Sequence, residues 1–515
     1  MFYVLRYAVP MSSDDQPVAS SNTEFPPLIG LSDVGAFTDD VDVLVVGSGI
    51  SGGCAAVEAA RAGAKVLLIE RAAETGGTTR LAGGHFYLGG GTAVQEAAGQ
   101  PDSAEEMEKY LTAVSLEPEP AKIHAYCTDS VEHFNWLEAL GLNFERSYYP
   151  EKAVIQPGTQ GLMYTGNEKV WPYKNMAVPA PRGHKVPVPG DTGGASMVID
   201  LLMAELERLG VEVRTDTGAR NLIVDNSGSV VGVKWRRPGA EGFIRASGVV
   251  IAAGGYVLNE DMVNEYVPQL ANQSYTLGTT YDDGLGIRLG QSAGAAVKHM
   301  DQAFITAPVY PPSILLTGII VNSEGRRFVA EDSYHSRTAG FVMDQPDKRA
   351  YLIVDEEHME RPAFPLAPFI DGWETVEEME SDLGIPAGNL ATTLDDYNTH
   401  AAVGEDPDFH KSAEFLAPQA NGPWAAFDMS LGKAMYSGFT VGGLATTVDG
   451  EVLDAQSQPI VGLFAAGACA ANLAQDGKGY ASGTQLGEGS YFGRRAGREA
   501  ARLAAASERV GADVE

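Results

Sequence analysis

Val43-Leu44-Val45-Val46-Gly47-Ser48-Gly49-Ile50-Ser51-Gly52 decides the fold. Four consecutive apolar residues read as a strand of a parallel sheet, buried on both faces. A GxGxxG turn follows at once, and the alanine-rich stretch Cys54 to Ala62, closed by Gly63, reads as a helix. Lys65 to Ile69 is a second apolar strand, ending on Glu70, 23 residues after Gly47. GxGxxG alone is a weak signal. With a strand before it, a helix after it and an acidic residue at that distance, it is a dinucleotide-binding βαβ unit. Gly47 permits the tight turn, Gly49 lets backbone approach a pyrophosphate, and Gly52 lets helix and strand pack closely. The helix N-terminus offers N–H groups and partial positive charge to the diphosphate, and Glu70 is placed to accept from ribose hydroxyls.

Outward from this unit the same figure recurs. Met197 to Leu209 is amphipathic, with Val198, Leu201, Leu202 and Leu209 on one side. Glu212 to Arg214 begins a strand, and Leu222-Ile223-Val224 and Val230 to Val233 flank an Asn226-Ser227-Gly228 turn, which predicts a hairpin. Val249-Val250-Ile251 runs into Ala252-Ala253-Gly254-Gly255, and Val461 to Phe464 runs into Ala465-Ala466-Gly467. A short helix is expected near Gly483-Thr484 and a final one over Tyr491 to Arg509, packing back on the first unit. Between 297 and 430 the composition shifts to proline, aromatic and charged residues without glycine-ended strands. The expected organisation is a polar lead-in over 1–40, a nucleotide-binding domain over 41–296 and 431–515, and a second domain inserted over 297–430.

The chain has 515 residues and a formal charge of −32, with 36 basic and 68 acidic residues. That balance repels phosphate backbones and anionic bilayers, so nucleic-acid and electrostatic membrane roles are excluded. No apolar run approaches the length of a membrane span. The three cysteines, Cys54, Cys127 and Cys469, make neither a disulfide framework nor a zinc site, and the nine histidines show no metal-ligand spacing. A reducing, cytoplasmic compartment is the expectation. Cys54 reads as a small packing residue of the first helix. The start MFYVLRYAVPM lacks the basic head and cleavable apolar core of a leader, and Met11 is an alternative first residue.

The 60 glycines are gathered in short clusters. One of them, Glu74-Thr75-Gly76-Gly77-Thr78-Thr79-Arg80-Leu81-Ala82-Gly83-Gly84, follows directly after Glu70, and its small residues suit a chain pressed against a long dinucleotide. Together with the glycine-ended strands and the 297–430 insertion, the pattern resembles the FAD-binding domain of the fumarate reductase/succinate dehydrogenase flavoprotein superfamily over roughly 41–515. The resemblance implies an α/β chain: a Rossmann-like FAD-binding domain with an inserted α+β capping domain. Members with covalent FAD carry a histidine in the second glycine stretch. Residues 71–84 contain none and His85 lies beyond it, so non-covalent FAD is expected.

The departures from that superfamily bear on the substrate. In Arg327-Phe328-Val329-Ala330-Glu331-Asp332-Ser333-Tyr334-His335-Ser336-Arg337 the slot of the fumarate reductases' arginine proton donor is His335. Tyr436-Ser437-Gly438-Phe439-Thr440-Val441-Gly442-Gly443 lacks their histidine. Without those cations a dianionic substrate has no anchor in so acidic a protein. Gly479-Tyr480-Ala481-Ser482-Gly483, with Tyr334, instead resembles the 3-ketosteroid Δ4-(5α)-dehydrogenases, which introduce a C4–C5 double bond into 3-keto-5α-steroids. His335 and Arg337 read as partners of a salt bridge.

The resemblance implies FAD contacts from Gly47, Gly49, Ser51, Gly52, Glu70, Arg71, Gly77, Thr78, Thr79, Ala82, Gly83, Gly84, Ala219, Ala253, Gly254, Gly467, Ser482, Gly483 and Leu486. It implies substrate contacts from Tyr436, Phe439, Tyr480 and Gly483, with Tyr87 a further aromatic candidate, and catalysis by Tyr334, Tyr480 and Ser482. Desaturation beside a ketone removes one hydrogen as a proton and the next as a hydride, building charge on the ketone oxygen that a donor must stabilise. Tyr480 suits that task without a full charge, and Ser482, two residues on, projects to the same side of an extended segment. By the family's assignment Ser482 takes the C4 proton and Tyr334 relays it. The electron acceptor is not readable from sequence. The rival readings are a Δ1-dehydrogenase, a flavin-dependent reductase of an enone- or fumarate-like C=C bond, and an FAD-holding protein without catalysis.

Overall fold

The strand of the opening motif spans Asp39–Val46 and alternates its side chains between two buried layers. Val43 and Val45 join one apolar cluster, Leu44 and the edge residue Val46 the other. The computed structural model describes residues 25–512 except 155, 191, 272–274 and 308. In the large mixed sheet the path runs Ile29–Gly30, Gly218–Val224, Val230–Arg237, Ala240–Ile251, Asp39–Val46, Val66–Ile69, Glu212–Arg214. Ala240–Ile251 also pairs in parallel with Pro459–Ala465, so the sheet is completed by chain from both sides of the 297–430 region. The hairpin around Asn226-Ser227-Gly228 forms as the turn chemistry requires.

Several local expectations are corrected. Residues 1–24 lie outside the described residues, Met11 included, but Ile29–Gly30 pairs with Ile223–Val224 at the sheet edge, so the lead-in contributes a strand. The amphipathic helix is Ser196–Arg208 and buries Val198, Ile199, Leu202 and Leu206. Leu201 and Leu209 are only partly covered, because the stripe follows i, i+3/i+4 from Val198 rather than the wider face assumed. The expected short helix and final helix are one continuous element, Thr484–Ala512.

Glycines let that final helix approach the nucleotide helix Ile50–Arg61 backbone to backbone. A Cβ at Gly489 would stand 2.8 Å from Ser51 Oγ, one at Gly493 3.0 Å from Ser51 Cα, and one at Gly497 2.8 Å from Ala55 Cα. The four-residue spacing repeats the close approach turn after turn. Arg498 binds Glu58 at 2.8 Å, Arg494 binds Glu132 at 3.0 Å and Arg495 binds Asp449 at 2.7 Å, holding the helix in register.

A second, antiparallel sheet runs Ile319–Asn322, Ala350–Asp355, Trp424–Asp428, Phe369–Trp373. It carries its own core with the helices Val376–Leu383 and Asn389–Ala401, built from Ile319, Ile353, Trp373, Leu390 and Tyr397 among others. Short strands close its two ends on each other: Ala303–Thr306 pairs with Ser437–Thr440, and Val297–Lys298 with Gly443–Leu444. Among the described residues no helix is long and apolar enough to cross a membrane.

Candidate active site

The glycine turn separates two kinds of requirement. Gly47 has φ 102°, and a Cβ there would clash with the Ala252 carbonyl; a Cβ at Gly52 would clash with the Gly47 carbonyl. Those two glycines are demanded by the protein's own packing. Gly49 is different. It is extended, caps Ile50–Arg61 without a side-chain hydrogen bond, and a Cβ there would meet nothing nearer than Thr79 Oγ1 at 3.4 Å. The open cradle beside Gly49, at a helix end whose first N–H groups lack intrahelical partners, fits a diphosphate.

The second glycine segment folds over this end. Thr79 Oγ1 accepts from Ile50 N–H at 3.1 Å, and Ser48 Oγ accepts from Gly76 N–H at 2.9 Å. Glu70, at the end of Val66–Ile69, accepts from Ser48 N–H (2.9 Å), Ser48 Oγ–H (2.6 Å) and Ala72 N–H (2.8 Å). Three of its roughly four lone-pair sites are therefore used by the protein, leaving one for a ribose hydroxyl. Gly77, at φ 49°, opens a 3-10 turn through Leu81, followed by Ala82. Thr78 donates to Asp282, and Asp282 also accepts from Gly255 N–H at 3.2 Å beside Gly254 and Ala253. The Gly83 carbonyl accepts from Lys185 at 3.1 Å, and Gly84 (φ 86°) packs on Val186.

Arg71 binds Asp283 at 2.6 Å and lies over the Tyr281 ring, with its stem beside Gly218, the neighbour of buried Ala219. Ser51 is buried against Gly467 (φ 73°). Gly483 has φ 98°, and its carbonyl accepts Tyr87 N–H at 3.0 Å; a Cβ there would stand 2.7 Å from Tyr87 N. Leu486 is buried one turn on, and Cys54 is buried in the first helix. His85, on the strand His85–Tyr87, is buried, and burial pushes its imidazole down to about 3.

The three hydroxyl side chains converge. Tyr334 caps the helix His335–Asp344 and its hydroxyl lies 2.5 Å from Ser482 Oγ. Ser482 N–H donates to the Thr165 carbonyl at 2.9 Å. Tyr334 and Tyr480 share one small apolar cluster with Phe304, Val441, Ala474 and Phe439. Phe304 stacks on Phe439 at 4.8 Å and meets the Tyr480 ring edge-on at 4.8 Å. Tyr436 lies elsewhere: it belongs to the main core and donates its hydroxyl to the Met429 carbonyl at 2.6 Å. Tyr87 likewise is a core residue whose hydroxyl donates to Glu168 at 3.0 Å.

The expected salt bridge at His335 and Arg337 is absent among the described residues. His335 is buried with Nδ1 on Thr306, and burial pushes its imidazole down to about 3, so it is neutral. Arg337 donates to Tyr173 Oη at 2.7 Å, and neither of these partners is a carboxylate. Among the described residues no cluster of metal-ligating groups occurs.

Sequence reading missed Ser48, Asn167, Asp282, Phe304 and Thr165. Asp282 and Phe304 follow no periodic or motif signal. Ser48 sits inside the motif itself, where only its hydroxyl marked it.

Gly49→Val is expected to fold, because a Cβ at Gly49 would meet no protein atom nearer than 3.4 Å, yet to purify without flavin absorbance. A yellow Gly49→Val protein would contradict the diphosphate cradle. Glu488, buried in the second turn of the final helix, accepts from Leu473 N–H (2.7 Å) and Ala474 N–H (3.0 Å). Burial pushes its carboxyl up to about 7 from 4.5. Its contribution to stability is therefore fully present below pH 4.5 and lost as pH rises through about 7. Glu488→Gln keeps an acceptor and removes the charge. Its melting temperature should match the parent near pH 4.5 and exceed it at pH 8, by at most about 3 kcal/mol of stability. A gap that does not change with pH would show that Glu488 does not titrate in this range.

The family model described as the FAD binding domain matches residues 42–487. The crystal structure of 3-ketosteroid-delta4-(5alpha)-dehydrogenase from Rhodococcus jostii RHA1, in complex with 4-androstene-3,17-dione, is 41% identical with a TM-score of 0.87, covering 92% of this chain and 99% of that one. The 3-oxo-5-alpha-steroid 4-dehydrogenase of Comamonas testosteroni is 28% identical over 85% of this chain and 94% of its own length. The vinyl phenol reductase of Lactiplantibacillus plantarum is 28% identical over 90% of this chain and 97% of its own length.

Proposed function

Since the chain belongs to the FAD-binding-domain family within the fumarate reductase flavoprotein superfamily, and is an FAD-dependent oxidoreductase, we propose that it desaturates 3-keto-5α-steroids between C4 and C5. In this reading residues 297–430 cap the substrate, FAD is held without a covalent bond, and the steroid lies between the two parts. The observation that carries the proposal is the 2.5 Å contact of Tyr334 and Ser482 hydroxyls beside the ring of Tyr480 in an apolar cluster.

Gly49 and the N-terminus of the helix Ile50–Arg61 would hold the diphosphate of FAD, and Glu70 its ribose. When bound, FAD supplies the acceptor for the hydride that leaves C5. The protein's own residues carry the proton. Serine is a feeble base unaided, so Ser482 Oγ takes the C4 proton as its own hydroxyl proton passes to Tyr334 Oη and the Tyr334 proton leaves toward solvent. Charge left on the C3 oxygen is met by the Tyr480 hydroxyl and the Gly483 N–H. A lysine or arginine in their place would lose hydration against Phe304 and Phe439; a neutral donor costs far less there.

The relatedness to a vinyl phenol reductase supports a second reading, reduction of a conjugated C=C bond by the reverse hydride movement. Anaerobic mixing with 5α-androstane-3,17-dione decides between them. Flavin bleaching with a 4-ene product is expected. A 1-ene product indicates a Δ1-dehydrogenase. Oxidation of the reduced protein by an enone, with no bleaching by the saturated ketone, indicates a reductase. Flavin that stays oxidised with every ketosteroid indicates a protein that only binds.

A further inference from the structure

We propose that Asn167 is the positioning residue of the proton relay, setting the distance between Tyr334 and Ser482; this rests on the reading of those two hydroxyls given above. Asn167 is fully buried, at 0% exposure. Its Oδ1 accepts the Tyr334 backbone N–H at 2.9 Å, and its Nδ2 donates to the Lys478 carbonyl at 3.3 Å. Its backbone N–H donates to Tyr110 Oη at 2.9 Å, which fixes the main chain from which the amide projects.

One side chain thus ties together the two segments that deliver the relay. Tyr334 enters from the 297–430 region, while Lys478 begins the stretch that carries Tyr480 and Ser482. Two residues before Asn167, the Thr165 carbonyl holds the far end of that stretch through Ser482 N–H at 2.9 Å. Between them, Gly166 is pressed on the same stretch: a Cβ there would stand 2.8 Å from Ala481 Cβ and 2.8 Å from Tyr110 Oη. The turn 165–167 is a template against which both segments are registered.

A carboxamide meets the demand at position 167 without a charge. One end must accept from an N–H and the other must donate to a carbonyl, at the fixed span of a single planar group. Loss of both bonds frees Tyr334 and Lys478 to shift relative to each other. A hydroxyl pair at 2.5 Å is sensitive to tenths of an ångström, and misplacement by about 1 Å can cost about 100-fold in rate. The effect falls on proton transfer, since the two bonds of the Asn167 amide set the backbone of Tyr334 against the stretch that carries Ser482.

The test uses the FAD-loaded enzyme with Asn167→Ala, and Asn167→Leu to keep the buried volume should the alanine variant fold poorly. Expected are a fall in kcat of about 10- to 100-fold, KM within about twofold, full flavin content, and a larger solvent deuterium isotope effect on kcat. In a double-mutant cycle the Asn167 variants should add little to Tyr334→Phe, because both act on one step. Wild-type kcat, or a loss confined to KM or flavin content with an unchanged isotope effect, overturns the positioning role. If Tyr334→Phe itself turns over normally, the relay reading fails; if Tyr334→Phe is crippled and the Asn167 variants are not, only the present inference fails.

Discussion

Replacing Ser482 with alanine is expected to lower turnover of a 3-keto-5α-steroid by about 10²- to 10⁴-fold, the range of a positioned proton acceptor. Flavin should stay bound. The hydrogen bond from residue 482 to Thr165 is made by backbone N–H, so the segment keeps its course when the hydroxyl is removed. Gly483, whose positive φ and close approach to Tyr87 fix the start of the final helix, is untouched. Tyr334 then loses its 2.5 Å partner but not its ring packing, so the damage is chemical rather than structural. Stopped-flow bleaching at saturating substrate reads the step directly. An effect on KM alone would reduce Ser482 to a binding residue and remove the relay from the mechanism.

The second large effect belongs to Tyr480. Phenylalanine there retains the edge-on contact with Phe304 at 4.8 Å and the contact with Phe439 at 5.7 Å, so the aromatic cluster survives. The proposed donor to the developing oxyanion goes, for which a loss of about 10²- to 10³-fold in kcat is expected. The flavin spectrum of the resting enzyme should be unchanged. Turnover within a few-fold of the parent would take Tyr480 out of the chemistry and leave it as an aromatic wall. Taken together, the two variants separate the proton acceptor from the oxyanion donor, since a solvent isotope effect should respond to the first more than to the second.

The final helix illustrates how far local reading reaches. Gly489, Gly493 and Gly497 weaken a helix in isolation, since glycine is a poor helix former, and a short helix followed by a longer one is the local expectation. Packed on Ile50–Arg61, the same residues are the contact face, and close helix approach outweighs the local preference. Ile199 and Leu206 likewise displace Leu201 and Leu209 as core residues because the rotation of Ser196–Arg208 is set by the helix it packs on. At the candidate site, Tyr334, Tyr480 and Ser482 stand in short motifs that the chain itself displays. Tyr436 and Phe439, which resemblance groups together, diverge: the first donates to the main core and the second stacks in the small aromatic cluster.

Asn167 and Asp282 leave no mark in the chain at all. Asn167 meets Tyr334 across 167 residues and Asp282 meets Thr78 across 204, distances over which no periodicity or turn chemistry carries information. What sequence by itself determined was everything governed by neighbours a few positions away: the buried strand, the glycine turn, the acidic residue closing the βαβ unit, the hairpin and the hydroxyl motif. What only tertiary structure decided was which distant backbone each polar side chain would reach, because a buried amide or carboxylate is selected by the donors and acceptors that folding brings against it.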